Sequence, residues 1–248
     1  MSSLPKLTVP THFLTIPSTK KKVKFRPFLS REEKILMLVK QSTDQDEILT
    51  AMKDIINVCT YEKLDIDRLA MFDIEYIFLR LRAKSVGEVI EIDMKCTNEV
   101  EIETEVEEPT KTKPCGNLIP FAINIENINV STPKDHTKII KLQKDIGITL
   151  RYPSVSDLKI IDDLGTDDVS IIKYLMENIF DEENVYNIKD TSEGDVNEFM
   201  DTISSKQIED IRKKFFYTMP SLEYKAKYKC SKCGYKGEYT FKGINDFF

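Results

Sequence analysis

The stretch LEYKAKYKCSKCGYKGEYTFK, residues 222–242, decides how we expect this chain to fold. Its two halves alternate apolar or aromatic residues with polar ones, which is the period-two pattern of β-strands. Between them, Cys230, Cys233 and Gly234 form a Cys-x-x-Cys-Gly turn, the usual half of a four-cysteine zinc site. Redox motifs share this spacing, but they place a helix after the cysteines, and here a second strand-like segment follows. The stretch therefore predicts a zinc-ribbon hairpin that lacks half of its ligands.

The other half of the site is predicted near the middle of the chain. The strand-like segment GEVIEIDMKC ends on Cys96, just as LEYKAKYKC ends on Cys230. Cys115 follows after eighteen intervening residues and precedes a glycine, as Cys233 does. Four thiolates suit a tetrahedral, structural Zn²⁺ ion, whereas the alternative is a ribbon with reduced cysteines and no metal. The predicted zinc ligands are Cys96, Cys115, Cys230 and Cys233.

The same order of elements occurs twice along the chain. Residues 12–38 show a short hairpin, a proline and a serine-capped helix, and residues 138–164 repeat that order. Pro27 and Pro153 occupy the same place in each copy, after the second strand. We therefore predict an α+β fold of two pseudo-repeats, each with a β-hairpin, helices and a β-knuckle strand, joined by the four-cysteine site. The predicted domains are 1–133, with an acidic β insertion at 97–114, and 134–248, which ends in the zinc-ribbon hairpin.

Apolar periodicity predicts the helices. Ser30 and Glu33 match an S-x-x-E capping box before the first helix. Asp44 or Ser42 can cap the second helix, and a third is predicted at about 73–84. Helical segments of the second copy are predicted at about 167–180, 195–202 and 205–217, with an acidic loop around 181–195.

Composition narrows the class of protein. The chain has 248 residues, of which 41% are hydrophobic, with five cysteines and a net charge of −6. An odd, low cysteine count does not resemble an oxidised disulfide scaffold, and no apolar run is long enough to span a membrane. The first residues lack the apolar stretch of a secretory signal, so a reducing cytoplasm is the expected compartment. His12 and His136 have no catalytic motif around them, and we expect no enzymatic activity.

Three charged stretches have a simple interpretation and an alternative. The basic cluster between Lys20 and Arg26 is typical of a solvated hairpin turn, or of a phosphate or partner contact. The alternating glutamates of 99–108 indicate a strand with a charged face, or a cation site. The ribbon's lysines and tyrosines are compatible with a nucleic-acid face, but the acidic balance of the whole chain argues against this.

Three long stretches of the sequence resemble the baseplate hub proteins of T-even-like contractile-tailed bacteriophages. They are VKFRPFLSREEKILM (23–37), FDIEYIFLRLRAKSVGEVIEIDMKC (72–96) and FFYTMPSLEYKAKYKCSKCGYKGEYTFKGINDFF (215–248). The resemblance covers nearly the whole chain, and it implies a virion or tail-assembly protein without catalytic residues. The cysteine pairs match the family's pattern, although the acidic insertion between them looks like a variable feature.

The resemblance implies binding partners rather than substrates. They are other baseplate hub and tail proteins and the tape-measure protein, met in the host cytoplasm during assembly and in the tail baseplate afterwards. Phe247 and Phe248 are candidate partner-binding residues, or they pack on the chain itself. Two further functions stay open from the sequence, an assembly chaperone that leaves the finished particle and a zinc-ribbon regulator that binds nucleic acid.

Overall fold

The structure of the protein is a computed structural model in which residues 7–39, 44–101 and 112–243 are described. It confirms a mixed fold of helices and strands. The strands are β1 (His12–Thr15), β2 (Lys22–Phe25), β3 (Val89–Lys95), β4 (Glu99–Glu101), β5 (Thr112–Pro114), β6 (Leu118–Asn124), β7 (Asn129–Ser131), β8 (Ile139–Lys141), β9 (Gly147–Leu150), β10 (Met176–Phe180), β11 (Val185–Asn187), β12 (Ser221–Lys229) and β13 (Lys236–Lys242). The helices are α1 (Ser30–Val39), α2 (Gln45–Cys59), α3 (Met71–Ser85), α4 (Leu158–Leu164), α5 (Asp168–Leu175), α6 (Glu193–Asp201) and α7 (Ser205–Ile211). Across these described ranges, no helix is long and apolar enough to cross a membrane.

The chain divides into two compact units, and the first is built from three separate segments. The first unit comprises Met1–Lys63, Glu75–Val130 and Leu222–Phe248. The second comprises Leu64–Ile74 and Ser131–Ser221. The predicted division between residues 133 and 134 concerns a duplication of sequence elements, and it stays a prediction.

Short antiparallel pairs make up most of the β-structure of the first unit. The pairs are β1–β2, β3–β6 and β4–β5, and a three-stranded sheet has the order β13-β12-β7. In β1–β2, Leu14, Val23 and Phe25 are buried, whereas Phe13 and Lys24 on the other face are exposed. This alternation confirms the predicted hairpin, because successive side chains of a strand point to opposite faces.

Asp44 caps α2, as one of the two predicted alternatives required. Its Oδ1 atom accepts hydrogen bonds from the N–H groups of Asp46 (2.9 Å) and Glu47 (3.4 Å). A carboxylate at this position accepts hydrogen bonds from helix N–H groups that have no partner within the helix. Its negative charge also interacts favourably with the positive end of the helix dipole.

The acidic residue that serves the start of α1 is Glu32, not the predicted Glu33. The Oε2 atom of Glu32 accepts a 2.7 Å hydrogen bond from the N–H of Leu29. Glu32 is buried, and its Oε1 atom accepts a 3.0 Å hydrogen bond from Nη2 of Arg26. The prediction of Glu33 from the S-x-x-E pattern was wrong. The pattern does not take account of Arg26, whose buried guanidinium needs an anionic partner and pairs with Glu32.

The second unit contains the same local arrangement. The carboxylate of Asp157 accepts a 2.7 Å hydrogen bond from the N–H of Ser154 and pairs with the guanidinium of Arg151. Six positions separate arginine and carboxylate here, as they separate Arg26 and Glu32. In both cases the carboxylate also accepts the N–H of the residue three positions before it.

The predicted helix at about 167–180 is shorter than expected, and its second half is a strand. α5 ends at Leu175, and Met176–Phe180 forms β10. β10 lies inside the four-stranded antiparallel sheet β11-β10-β9-β8, with Ile179 opposite Ile148. Because β9 and β11 both pair with this segment, sheet hydrogen bonds outweigh its helical tendency. The predicted acidic loop around 181–195 likewise contains β11.

Acid stability tests the buried carboxylate of Glu32. Burial alone would raise its pKa, but hydrogen bonds from Arg26 and from the N–H of Leu29 outweigh burial and lower the pKa to about 2. The ionised Glu32 carboxylate therefore stabilises the folded chain at neutral pH. This stabilisation is lost as the pH falls from 4.5, the ordinary pKa of a glutamate, towards 2. We expect Glu32→Gln to lower the free energy of unfolding at pH 7 by about 3 kcal/mol and to flatten its decrease across this pH range.

Glu33→Gln is the matched control, because it removes the same charge one position away. Urea unfolding of both variants, followed by circular dichroism at several pH values, measures the difference. Equal losses for the two variants would contradict the assignment of Glu32 as the residue that pairs with Arg26.

Candidate metal centre

Two knuckles carry the four predicted ligands, Cys96 and Cys115 in the first knuckle and Cys230 and Cys233 in the second. In each knuckle the first cysteine directly follows a strand, β3 in the first and β12 in the second. The strand after the second cysteine, β6 or β13, pairs antiparallel with the strand before the first. Each knuckle therefore closes an antiparallel hairpin, and all four cysteines belong to the first compact unit.

The eighteen residues between Cys96 and Cys115 include a small hairpin of their own. Glu99–Glu101 forms β4, which pairs with β5, Thr112–Pro114. The rest of the acidic strand predicted at 99–108 lies outside the described residues. The paired ends of the insertion bring Cys115 back to Cys96, where the N–H of Cys115 donates a 2.8 Å hydrogen bond to the C=O of Asn98.

The two knuckles share a backbone hydrogen bond at their first cysteine. The N–H of Cys96 donates to the C=O of Asn117 at 2.8 Å, and the N–H of Cys230 donates to the C=O of Tyr235 at 2.8 Å. In both cases the acceptor lies two residues beyond the second cysteine. The first knuckle therefore has the hydrogen-bonding pattern of the second, although eighteen residues separate its two cysteines.

A glycine closes each knuckle in the same way. The N–H of Gly116 donates to the C=O of Cys96 at 3.0 Å, and the N–H of Gly234 donates to the C=O of Cys230 at 3.0 Å. Gly116 has a φ of 65° and Gly234 a φ of 74°. Glycine adopts this left-handed region without the steric cost that a Cβ atom brings. The Cys-Gly pairs in the sequence thus have a conformational reason.

The four sulfur atoms form a compact cluster. All four Sγ atoms lie within 4.8 Å of one another. Cys96 Sγ is 3.8 Å from Cys233 Sγ, and Cys115 Sγ is 3.8 Å from Cys230 Sγ. A tetrahedral zinc ion with Zn–S bonds of about 2.3 Å places its ligands about 3.8 Å apart, whereas a disulfide needs about 2.0 Å. The four thiols are therefore close enough to bind one metal ion.

The cluster lies in apolar surroundings. Cys96, Cys115 and Cys230 are buried and Cys233 is half-buried. Met94 and Ile119 are buried with them, and the partly buried residues packed on this group are Val100, Phe121, Tyr228 and Tyr239. An apolar shell limits access of water, which strengthens electrostatic attraction between a cation and thiolates.

The thiols differ in acidity. The N–H groups of Cys233 and Lys232 point at Cys230, and they lower the pKa of Cys230 to about 6. Burial raises the pKa of Cys96 to about 12, and the pKa of Cys115 is also raised, since burial and the neighbouring thiols outweigh the N–H of Asn117. The charge of a thiolate at Cys230 opposes ionisation of Cys96 and Cys115. A bound metal ion removes that opposition.

Two asparagines that the sequence analysis missed support the sulfurs. Asn117 Nδ2 lies 3.6 Å from Cys230 Sγ, and Asn98 Nδ2 lies 3.8 Å from Cys233 Sγ. Amide donors at these distances orient thiolates and partly balance their charge. Their spacing could have identified them from the sequence, because Asn98 lies two residues after Cys96 and Asn117 two residues after Cys115.

The remaining candidates from the sequence fall outside this centre. Cys59 is buried at the end of α2, and burial raises its pKa to about 11, as suits a packed thiol. His136 lies in the second unit, with Nε2 2.9 Å from the Tyr152 hydroxyl and its ring stacked on Phe215. Phe247 and Phe248 lie outside the described residues.

On the hairpin β12–β13, the lysines and tyrosines of β12 occupy opposite faces. Lys225, Lys227 and Lys229 are exposed on one face of β12. Tyr224 and Tyr228 alternate with them and are partly buried on the other face. The lysine face of β12 therefore carries no aromatic ring of that strand, whereas Tyr235, between Gly234 and β13, is 42% exposed.

Comparison with known proteins identifies the family. A family model described as T4 bacteriophage base plate protein matches residues 9–248. The chain therefore belongs to this family of phage baseplate proteins, which gives it a place in the virion tail and a structural or assembly role among other tail proteins. Comparison with curated proteins gives no match, and neither does comparison with solved structures.

Metal content tests the four-cysteine cluster. We expect the purified chain to bind about one metal ion, and we expect Cys96→Ser and Cys230→Ser each to remove it, because three ligands hold the ion much less tightly than four. Cys59→Ser is the matched control, since it removes a buried thiol outside the cluster, and it should retain the metal. Elemental analysis after dialysis measures the ratio. Loss of metal from Cys230→Ser alone would show that the first knuckle does not contribute.

Proposed function

We propose that this chain is a structural or assembly component of the phage tail baseplate hub that acts by binding other hub and tail proteins. The observation that carries the proposal is the family match over residues 9–248. The hub assignment draws on the sequence stretches 23–37, 72–96 and 215–248, which resemble hub proteins in particular. Among its partners we include the tape-measure protein, met in the host cytoplasm while tails assemble.

We infer that the metal is Zn²⁺ and that its role is structural. A cluster of four cysteine sulfurs, with two of its spacings at 3.8 Å, suits tetrahedral zinc. Four protein ligands leave no coordination position for water or substrate. A metal ion held there therefore does not polarise a substrate or activate a water molecule. The ion instead joins two hairpins that are far apart in the sequence, and the chain works by binding, without enzymatic activity.

The ribbon face supports protein binding over nucleic-acid binding. Single-stranded nucleic acids are held by aromatic rings on which bases stack, interleaved with cations. Here the partly buried Tyr224 and Tyr228 lie on the face opposite the lysines. With a net charge of −6, the chain also lacks the basic excess that phosphate binding needs.

Internal duplication accounts for the matched details of the two copies. The pairs Arg26–Glu32 and Arg151–Asp157 have the same spacing and the same backbone contact. The two knuckles have the same hydrogen bonds at cysteine and glycine. We propose that both similarities descend from one ancestral hairpin, helix and knuckle unit.

Purified phage particles test the structural role. We expect the chain to be present in tails at a fixed copy number, and we expect a tagged chain to co-purify with hub proteins from infected cells. Quantitative mass spectrometry measures both quantities. Co-purification with hub proteins but absence from finished tails would identify an assembly chaperone instead, and absence from both would refute a hub function.

Thermal unfolding with and without chelator tests the role of zinc. Structural zinc sites contribute on the order of 10 kcal/mol to folding, so removal of the ion should unfold the first unit. We expect a strong chelator to lower the Tm of the wild-type chain and to leave that of Cys230→Ser unchanged. Re-addition of Zn²⁺ should restore the wild-type Tm. An unchanged Tm for the demetallated wild-type chain would contradict a structural role.

A further inference from the structure

The outward face of the hairpin β1–β2 combines exposed aromatic rings with lysines. Phe13, Lys22 and Lys24 point away from the buried face of the hairpin, and Phe13 lies directly opposite Lys24 in the strand register. Tyr61, which follows α2, adjoins this face through Lys24. We call Phe13, Lys22, Lys24 and Tyr61 the aromatic–lysine patch, and all four residues belong to the first compact unit.

Cation–π contacts connect the members of the patch. Lys22 Nζ lies 4.8 Å from the centroid of the Phe13 ring, and Lys24 Nζ lies 5.9 Å from that of Tyr61. Contacts of this kind are weakly attractive even at exposed sites. They hold flexible lysine side chains near fixed rings, so part of the ordering that binding requires is already present.

The exposure of the two rings is large for aromatic residues. Phe13 is 59% exposed and Tyr61 is 41% exposed. Aromatic side chains are enriched among the residues that dominate binding energy in protein interfaces, because they bury much area while fixing only two torsions. Two such exposed rings, each with a lysine beside it, have the composition of an interface centre with a polar rim.

The backbone conformation at Tyr61 is unfavourable and is nevertheless retained. Tyr61 and Glu62 have φ values of 61° and 56°, in the left-handed region. This conformation is sterically unfavourable for residues that carry a Cβ atom. The N–H of Glu62 donates a 2.8 Å hydrogen bond to the C=O of Asn57, which offsets part of that cost. Asparagine or glycine would satisfy the same turn with less strain, so a tyrosine here indicates a use for its ring.

The charge of the patch points to an acidic partner. Lys20, Lys21, Lys22 and Lys24 are all exposed, and none of them forms an ion pair with a described residue. Arg26, the fifth member of the basic cluster in the sequence, is buried against Glu32 and does not contribute. Four lysines within five residues, without an ion-pair partner in the part of the chain that the structure describes, create a local positive field on a chain whose net charge is −6.

We propose that the aromatic–lysine patch is a docking surface for an acidic region of another protein of the phage tail. The lysines receive carboxylates of the partner, and Phe13 and Tyr61 pack against its apolar side chains. This inference rests on the proposed function and adds to it the surface used and the chemistry of the partner. Nucleic acid fits less well, because four lysines are a small basic surface on a chain whose net charge is −6, and phosphate binding needs a larger basic excess.

Site-specific photo-cross-linking tests the surface directly. Benzoyl-phenylalanine is placed at position 13 of the full chain in cells that produce the phage, and at position 185 as the control. Val185 is 71% exposed in the second unit, so it reports chance encounters. We expect position 13, and not position 185, to cross-link to an acidic segment of another tail protein. Cross-links from position 13 to nucleic acid or to a basic segment, or none at all, would overturn the proposal.

Matched charge variants measure how much the patch contributes. We expect Lys22→Gln combined with Lys24→Gln, and separately Phe13→Ser, to reduce co-purification of the cross-linked tail protein by about tenfold. Lys225→Gln combined with Lys227→Gln removes the same charge from the ribbon face. This control should change co-purification of the cross-linked tail protein by less than about twofold. Tyr61→Asn should weaken binding without lowering the Tm, because asparagine tolerates a positive φ.

The outcomes separate this inference from the proposed function. If the wild-type chain and all variants co-purify equally with tail proteins, the patch proposal is wrong and the hub function stands. Equal losses from the patch and ribbon variants would show a general charge effect and would also overturn the proposal. If the wild-type chain co-purifies with no tail protein, the hub function itself fails.

Discussion

The close approach of four cysteine sulfurs, all within 4.8 Å of one another, is the constraint on which the first unit depends. Sulfurs this close are stable together either as mostly neutral thiols or as thiolates with a cation between them. The strands β3, β6, β12 and β13 all end or begin within a few residues of these sulfurs. The two hairpins therefore meet at one cluster of sulfurs and apolar side chains, and the protonation or metal binding of the cysteines is linked to the packing of both.

A buried or partly buried ion pair has a comparable local role in each unit. Arg26 follows β2 and Arg151 follows β9, and each pairs with a carboxylate in the helical turn that comes next. The carboxylate also accepts a backbone N–H at the start of that turn, so one side chain fixes the direction of the chain from strand to helix. Removal of either partner leaves a charge with little access to water, which explains why such pairs are sensitive to substitution.

Patterns with a local physical cause were predictable from the sequence, and those decided by distant partners were not. The hairpin at 12–28, the cap at Asp44 and the two Cys-Gly turns follow from alternation, carboxylate chemistry and the conformational freedom of glycine. The choice of Glu32 over Glu33 depended on Arg26, and the strand at Met176–Phe180 depended on β9 and β11. Asn98 and Asn117 acquire their role only when the second knuckle lies beside the first.

The distance between the knuckles along the chain sets an order of events during synthesis. Cys96 and Cys233 are 137 residues apart. A ribosome that adds about 5–20 residues per second needs roughly 7–30 s to make the intervening chain. Residues 131–221, the main segment of the second unit, emerge completely within that interval, before the ribbon that completes the first unit. The thiols of the first knuckle therefore have no partner cysteines during the time in which the second unit is able to fold. Closure of the four-sulfur centre is a late step in the maturation of the chain.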